Sequence, residues 1–416
     1  MPTLRYGKTT VSFDVPESHS YDLITYKQPL GEPPDDAYSL SLIRQALAAP
    51  IGTPSLRELA TDKTQAVILI SDGTRLCPSW LLLPPLLEEL NAAGIPDHAI
   101  DIVIALGLHR KHTAAELEQL VGTAIYQRIR VSNHSSCSED CTYAGTTSRG
   151  TPIEINHLVA QAPLRIVTGN IEPHALVGIS GGIKALVPGV ASQRCIEHNH
   201  GLSLEYKAIP GHPNNPLHQD LEEAQQFAPI DFMLNVVVNH DRQVLHAAAG
   251  HIIEAHRQGT VFAAKLFLVP VQKQYDIVVV SPGGFPKDLQ FYQALKALRN
   301  AAAITKPHGT IIMAAECSEQ FGNGIFQYWV ETIPERERAV AMLKQTFVAG
   351  AHKLLHLDEV LQNHPVYLHT SLPNALIDLL GCTPAPDLSS TLKSILLHPS
   401  QSLAIMPFGA LTFPVH

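Results

Sequence analysis

Histidine is the residue type in this sequence that most clearly offers chemistry. The chain carries 22 histidines, against five methionines and two tryptophans. Imidazole changes its charge near neutral pH and is the commonest metal ligand in proteins. Because most single histidines lie at the surface or in caps, we treat a histidine as a functional candidate only where several gather or where one follows a strand.

The densest candidate segment covers residues 169–200, with the sequence GNIEPHALVGISGGIKALVPGVASQRCIEHNH. Ser180-Gly181-Gly182 predicts a turn within it, since glycine permits the positive φ angles that aim successive N–H groups at one anion. Lys184 follows, where a helix could start. The pattern predicts a phosphate-binding loop with a charge-neutralising lysine, preceded by His174.

Two segments contain potential metal ligands. His198 and His200 are separated by one residue, so an extended segment would place both side chains on one side, as a metal site needs. For either histidine alone, an ordinary structural role is the stronger alternative. Residues 134–141, HSSCSEDC, have the spacing of zinc ligands, but a zinc site usually takes four ligands from two paired clusters. No second cysteine pair follows, so we interpret this segment as a polar loop.

Two further groups combine a cation with polar neighbours. Arg75 follows Asp72 in a predicted turn, and an arginine fixed beside a carboxylate suits bidentate recognition of a carboxylate or phosphate. An Asp–Arg pair that only locks the turn explains the same residues equally well. Gln293 and Lys296 would share one neighbourhood on a helix with Tyr292, and a solvated helix face is the alternative there.

The first half of the chain alternates short apolar runs with helical patterns. We predict strands at residues 66–71, 100–106 and 164–168, a helix at 80–93, and a capping box opening a helix at Thr113. Strand, turn and helix in repetition indicate a parallel sheet with crossover helices. Ligands bind beyond the carboxyl ends of such strands. Four candidate residues follow predicted strands: Asp72, Arg75, His109 and His174.

A second α/β region begins after a Pro-containing polar break at residues 268–274. The strands predicted there are 275–281, 310–315 and 366–369. We therefore expect two α/β domains, residues 1–268 and 275–416, built mainly on parallel sheets with crossover helices. We expect the active site in the cleft between them.

Composition excludes several classes of protein. At 416 residues and roughly 150 residues per domain, two or three domains are expected. A net charge of −9 gives no basic face for nucleic acid, and no apolar run approaches the roughly 18 residues that span a bilayer. Six cysteines are too few for a disulfide scaffold, and the first residues lack a secretory profile. We predict a cytoplasmic protein that binds neither nucleic acid nor membrane.

Together, these segments resemble the nickel-dependent lactate racemase family over nearly the whole chain. The segments that carry the resemblance are ISDGTRLCP, IALGLHRKHTAAE, GNIEPHALVGISGGIKALVPG, EHNH, VVVSPGGFPKDLQFYQALKAL and FVAGAHKLLHL. Their order and length make the match far more specific than any single motif.

The resemblance implies an unusual cofactor. It is a pyridine mononucleotide whose two sulfur-containing substituents hold nickel as a pincer, with a carbon–nickel bond. By motif position, the lysine that anchors this nucleotide resembles Lys184, and the histidine that completes the planar nickel resembles His200. The turn at Ser180, Gly181 and Gly182 would then lie near the tethered cofactor. Imidazole and sulfur ligands in a planar arrangement agree with the preferences of nickel.

The resemblance also implies the activity, which is racemisation or epimerisation of a small 2-hydroxy acid by reversible hydride transfer. Inversion needs a base on each side of the substrate, and these correspond to His109 and His174. Arg75 and Lys296 would hold the substrate carboxylate or balance the cofactor, oriented by Asp72 and Gln293. Cofactor-synthesis enzymes are the expected protein partners, and the oligomeric state is left open.

Two alternatives compete with this interpretation. A zinc-type metallohydrolase could use His198 and His200 with a carboxylate around a zinc-bound water, but it leaves Lys184 and the glycine turn without a purpose. A non-catalytic nucleotide-binding module would keep the glycine turn and make His109 and His174 superfluous.

Overall fold

The computed structural model describes residues 1–28, 34–333 and 335–415. The chain divides into two compact units. The N-terminal unit is Pro29–Lys265, and the C-terminal unit combines Met1–Gln28 with Leu266–His416.

Twenty strands are present in the described residues, in chain order: β1 (Thr3–Tyr6), β2 (Thr9–Ser12), β3 (Tyr21–Leu23), β4 (Ala66–Ser71), β5 (Ile100–Ala105), β6 (Arg130–Asn133), β7 (Cys141–Thr146), β8 (Pro152–Asn156), β9 (Arg165–Asn170), β10 (Pro173–His174), β11 (Gly178–Ile179), β12 (Phe232–Val238), β13 (Val244–Gly250), β14 (Leu268–Pro270), β15 (Tyr275–Val280), β16 (Thr305–Ala314), β17 (Val366–His369), β18 (Thr383–Pro384), β19 (Leu403–Met406) and β20 (Phe413–Val415).

The α-helices of the same residues are α1 (Asp36–Ala48), α2 (Leu56–Ala60), α3 (Ser79–Ala92), α4 (Ala114–Val121), α5 (Thr123–Tyr126), α6 (His157–Gln161), α7 (Gln193–Gly201), α8 (Pro216–Glu223), α9 (Glu254–Phe267), α10 (Phe291–Ala302), α11 (Gly324–Thr332), α12 (Arg336–Gln345), α13 (Lys353–Leu361), α14 (Asn374–Leu379) and α15 (Leu388–Ile395). None of them is long and apolar enough to cross a membrane.

The N-terminal unit is built on a six-stranded sheet in the order β13-β12-β9-β4-β5-β6. Every neighbouring pair is parallel except β12 and β13. The central strand β4 has the sequence AVILIS, and its first five residues are buried. Such continuous apolar runs are typical of parallel strands that helices cover on both faces.

The helices of this unit begin largely where the sequence predicts. Thr113 and Glu116 form the expected capping box before α4, each side chain bonding the other's backbone N–H. Helix α3 starts one residue earlier than predicted and continues through Pro84 and Pro85. Five of its six leucines are buried, so tertiary packing stabilises a helix whose prolines remove backbone donors.

The C-terminal unit contains a second six-stranded sheet, ordered β18-β17-β16-β15-β19-β3 and parallel throughout. Helix α10 packs against it through an apolar face that includes Leu295 and Leu298. The predicted α/β class with mainly parallel sheets is therefore confirmed.

The predicted first domain differs from the observed units at the start of the chain. Residues 1–28 belong to the C-terminal unit, because the short edge strand β3 pairs in parallel with β19, setting Tyr21 opposite Leu403. Tyr26 is buried there against the rings of Phe267 and Phe408. A three-residue strand pairing across about 380 positions has no local sequence signal. The other boundary falls at Lys265, close to the predicted break at 268.

Candidate active site

Three neighbouring strands of the N-terminal unit lead into the candidate residues. Asp72 follows β4 directly, His109 lies four residues beyond the end of β5, and His174 lies four residues beyond the end of β9. Strand β4 pairs in parallel with both β5 and β9, so the three carboxyl ends share one edge of the sheet. Loops at this edge are where parallel sheets bind ligands.

Asp72 and His109 form the best-defined polar contact at this edge. His109 Nδ1 lies 3.2 Å from Asp72 Oδ2, while Arg75 Nε lies 3.7 Å from the same oxygen. The Asp72 side chain is 3% exposed, whereas those of His109 and Arg75 are 23% and 25% exposed. The buried carboxylate therefore orients two side chains that reach solvent, and its closer partner is the histidine.

The charge state of Asp72 follows from its surroundings. Burial alone would raise the pKa of this carboxyl, but the charges and hydrogen bonds of His109, Arg75 and Thr74 hold it well below its ordinary value. The backbone N–H and the hydroxyl of Thr74 both donate to Asp72 Oδ1, at 2.8 and 2.5 Å. Oδ1 therefore accepts both hydrogen bonds from Thr74, and Oδ2 lies toward His109.

His112 connects the turn after β4 to the loop after β5. It was not predicted as a site residue from the sequence. The Gly73 N–H donates to His112 Nε2 at 3.1 Å, which joins the loop after β5 to the turn after β4. His112 N–H in turn donates to the side chain of Asn133, at the end of β6. Its position three residues after His109, beyond a strand, was an available signal.

His174 lies in a short hairpin between β10 and β11, opposite Gly178. Its Nδ1 accepts the backbone N–H groups of Leu176 at 3.1 Å and Val177 at 3.4 Å. Gly178 permits this tight turn, with φ +80 and with a hypothetical Cβ only 1.9 Å from the carbonyl oxygen of His212. The ring is therefore held by backbone groups of its own hairpin.

The Ser180-Gly181-Gly182 turn directs its groups mainly inward. Ser180 donates its hydroxyl to the carbonyl oxygen of Glu172 at 3.0 Å, and its N–H to the same oxygen at 2.9 Å. The Gly182 N–H donates to Asn235 Oδ1 at 2.6 Å. These N–H donors are therefore satisfied within the protein, and the turn serves to place the short 3₁₀ helix Gly182–Ala185, which contains Lys184.

Two buried residues that support this turn were missed. Asn235 is a polar residue inside the otherwise apolar strand β12, which was a usable signal. His256, on α9, donates its Nε2–H to the Ser180 carbonyl oxygen at 2.8 Å. Burial, helped by the neighbouring His218, lowers the pKa of His256 from 6.5 to about 3, so the ring is neutral. No sequence signal connects His256 to a turn about 75 residues earlier.

His198 and His200 do not form the predicted extended pair. Both lie on helix α7, where residues two positions apart project in very different directions. His198 Nδ1 lies 2.9 Å from the hydroxyl of Thr151. The expectation that both imidazoles face one metal is therefore wrong, because the segment is helical. His200 is half-buried near the end of the same helix.

The segment interpreted from its sequence as a polar loop is irregular from His134 to Cys137, forms a short 3₁₀ helix at Ser138–Asp140 and enters β7 at Cys141. His134 is buried and lies with Nε2 2.9 Å from the Ala191 carbonyl oxygen, while Cys137 is exposed and Cys141 is buried. Across the described ranges, no three histidine, cysteine, aspartate or glutamate side chains are arranged to hold a metal ion.

Gln293 and Lys296 lie on α10, which belongs to the C-terminal unit. Gln293 is buried and Lys296 half-buried, so the alternative of a solvated helix face fails for Gln293. Tyr292 stands edge-on to the ring of His352, with centroids 6.4 Å apart. The Lys353 ammonium lies 5.2 Å from the centre of the Tyr292 ring.

Comparison with known proteins identifies the class of this chain. Residues 6–210 match the lactate racemase N-terminal domain and residues 271–401 match the lactate racemase C-terminal domain. The chain belongs to the lactate racemase family.

Two curated lactate racemases are similar in sequence to this chain over most of its length. A lactate racemase of Thermoanaerobacterium thermosaccharolyticum is 34% identical over 400 residues, which cover 93% of this chain and 92% of the relative. A lactate racemase of Lactiplantibacillus plantarum is 34% identical over 336 residues, or 78% of this chain and 77% of the relative.

Solved structures show the same fold. The lactate racemase apoprotein from T. thermosaccharolyticum superposes with a TM-score of 0.87 and 30% identity, over 100% of this chain and 99% of that one. A Thermotoga maritima protein matches with a TM-score of 0.71 and 17% identity, covering 92% of this chain and 99% of that one, and supports the fold alone.

Proposed function

We propose that this protein is a racemase or epimerase of a small, lactate-like 2-hydroxy acid. The relatives that resemble it over most of their length are lactate racemases. The observation that carries the proposal is the contact of His109 with Asp72 at the same sheet edge that leads to His174 and Lys184. An imidazole oriented by a buried carboxylate is suited to general acid–base work.

The donor set of the N-terminal unit fits a lysine-tethered nickel-pincer nucleotide. Lys184 offers a primary amine for covalent attachment, and His200 offers one imidazole ligand. His200 would be the protein's ligand to a metal that the nucleotide's own sulfur donors would hold. When bound, the nucleotide supplies the hydride acceptor.

The chain's own residues then manage the substrate and its protons. His109 Nε2 takes the hydroxyl proton of one stereoisomer, and the resulting imidazolium is steadied by the buried charge of Asp72. Inversion moves the substrate oxygen to the other side, where His174 is the second acid–base group. The partly exposed guanidinium of Arg75 suits a substrate carboxylate, and Lys296 is a second candidate cation.

The experiment for this proposal uses protein coexpressed with the cofactor-synthesis enzymes. Single enantiomers of small 2-hydroxy acids and sugar acids are supplied in turn, and optical rotation is followed. We expect inversion of at least one of these acids by the loaded protein, and none by protein made without the synthesis enzymes. Silence of the loaded protein across the whole panel would overturn the proposal.

A further inference from the structure

The two histidines at the sheet edge have opposite hydrogen-bond environments at the same ring atom. His109 Nδ1 faces Asp72 Oδ2 at 3.2 Å. A carboxylate can only accept, so Nδ1 of His109 must donate. His174 Nδ1 faces the N–H groups of Leu176 and Val177, which can only donate, so Nδ1 of His174 must accept.

We propose that His109 and His174 rest in opposite tautomers and have unequal roles. A neutral imidazole carries one proton, so His109 holds it on Nδ1 and has its lone pair on Nε2, while His174 holds it on Nε2. His109 then has a lone pair on Nε2 that can accept a proton. His174 presents an Nε2–H, which it can hydrogen-bond to a substrate oxygen but can give up only from the imidazolium, because loss from the neutral ring would leave an imidazolate. The catalytic meaning rests on the proposed function, whereas the tautomers are properties of the chain alone.

The roles are unequal because the protonated forms of the two rings also differ in the fit of Nδ1 to its surroundings. When His109 accepts the substrate hydroxyl proton on Nε2, its Nδ1–H still donates to Asp72. If His174 instead becomes a base, or an imidazolium, its Nδ1 carries a proton that faces two backbone N–H groups. His174 therefore accepts a proton only after its ring leaves Leu176 and Val177.

Thr74 is a positioning residue in this arrangement, acting through Asp72. It donates its N–H and hydroxyl to Oδ1 of Asp72, which leaves Oδ2 toward His109. In Asp72→Asn the same two donors would take the amide oxygen and turn the amide NH₂ toward His109. That NH₂ can only donate, so His109 would become an acceptor at Nδ1 and move its proton to Nε2. The substitution keeps the size of the side chain and reverses the tautomer.

The test is long-range ¹H–¹⁵N correlation of the imidazoles in the full-length ¹⁵N-labelled protein without cofactor. His109→Gln and His174→Gln variants assign the two rings. The chain provides internal standards of both forms. His112 accepts at Nε2 from Gly73, and His256 donates from Nε2 to the Ser180 carbonyl oxygen.

We expect the correlation pattern of His109 to match that of His112, with the proton on Nδ1. The pattern of His174 should match that of His256, with the proton on Nε2. Asp72→Asn should move His109 to the other form and leave His174 unchanged. Equal tautomers in the wild type, or a His109 that keeps its form in Asp72→Asn, would overturn the proposal. None of these outcomes depends on cofactor or substrate, so failure here and failure of the proposed function are distinguishable.

A second measurement tests the roles of His109 and His174 in protein that carries the cofactor. Single enantiomers are mixed with each glutamine variant, and enzyme-bound keto acid is quantified after rapid quenching. We expect His174→Gln to form keto acid from one enantiomer, since the proton goes to His109 and the hydride to the cofactor. His109→Gln should form at least tenfold less from either enantiomer. Equal yields from opposite enantiomers in the two variants would show interchangeable roles and contradict the proposal.

Discussion

The imidazole Nε2 of His256 lies 2.8 Å from the carbonyl oxygen of Ser180. This contact connects a buried residue of α9 to the turn that leads into Lys184. It also explains the glycine at position 182, since a Cβ there would lie 2.8 Å from the His256 ring. A residue with no place in the chemistry thereby fixes the position of the proposed attachment point.

Removing the His256 donor should destabilise the protein and impair cofactor attachment. His256→Leu leaves the Ser180 carbonyl oxygen without this N–H, and a lost buried hydrogen bond costs about 1–3 kcal/mol. Urea unfolding measures the stability, and intact mass measures the modified fraction of Lys184. His256→Gln is the matched control because it keeps an N–H donor. If the leucine variant unfolds and loads as the wild type does, His256 does not support the turn.

Gly182 should not tolerate alanine. Its φ of +55 lies in the left-handed region and a Cβ would press on the His256 ring. We expect Gly182→Ala to lower the free energy of unfolding by about 1–3 kcal/mol. Gly324→Ala is the matched control, since a Cβ at that glycine meets nothing within 4 Å. Equal unfolding midpoints for the two variants would refute this explanation of the glycine.

The buried neutral state of His256 predicts a specific acid sensitivity. Its pKa falls from 6.5 to about 3 in the folded protein, chiefly through burial. The unfolded chain therefore takes up a proton, as pH falls below about 6.5, that the folded protein does not bind until about pH 3. Stability present above this window is lost on acidification, at about 1.4 kcal/mol per pH unit. Urea unfolding across this pH window should show that His256→Gln loses less free energy of unfolding per pH unit than the wild type. Parallel plots of that free energy against pH would contradict this prediction.

Lys184→Arg should abolish covalent loading while keeping a positive charge. A guanidinium is a far weaker nucleophile than a free amine because it stays protonated in proteins. In coexpressed protein we expect intact mass to show the cofactor on the wild type and none on the variant. Thermal unfolding of the two proteins without cofactor serves as the control. An adduct retained by the variant would place the attachment elsewhere.

Much of the fold was predictable because its signals are local. The apolar run of β4, the Thr113–Glu116 capping box and the strand at Val366–His369 appear where the sequence indicates them. The placement of residues 1–28 was not predictable, since β3 gains its partner only in the tertiary structure. A parallel pairing of three residues leaves no periodicity to read.

The residues of the candidate site also divide into those with a local sequence signal and those without one. Asp72, His109 and His174 were predicted as site residues because each follows a predicted strand, and Asp72 contacts His109. The supports of the lysine turn, Asn235 and His256, lie far away in sequence and were missed. His198 and His200 misled because spacing alone does not distinguish a helix from an extended segment.

Racemisation of one lactate enantiomer by loaded protein in deuterium oxide tests hydride transfer most directly. Chiral separation gives the extent of inversion, and mass spectrometry of each enantiomer gives the isotope on Cα. If histidines handle only the hydroxyl proton and Cα hydrogen returns as hydride, the inverted lactate keeps protium on Cα. Deuterium on Cα of the inverted product would show removal of that hydrogen as a proton and would contradict the proposed chemistry.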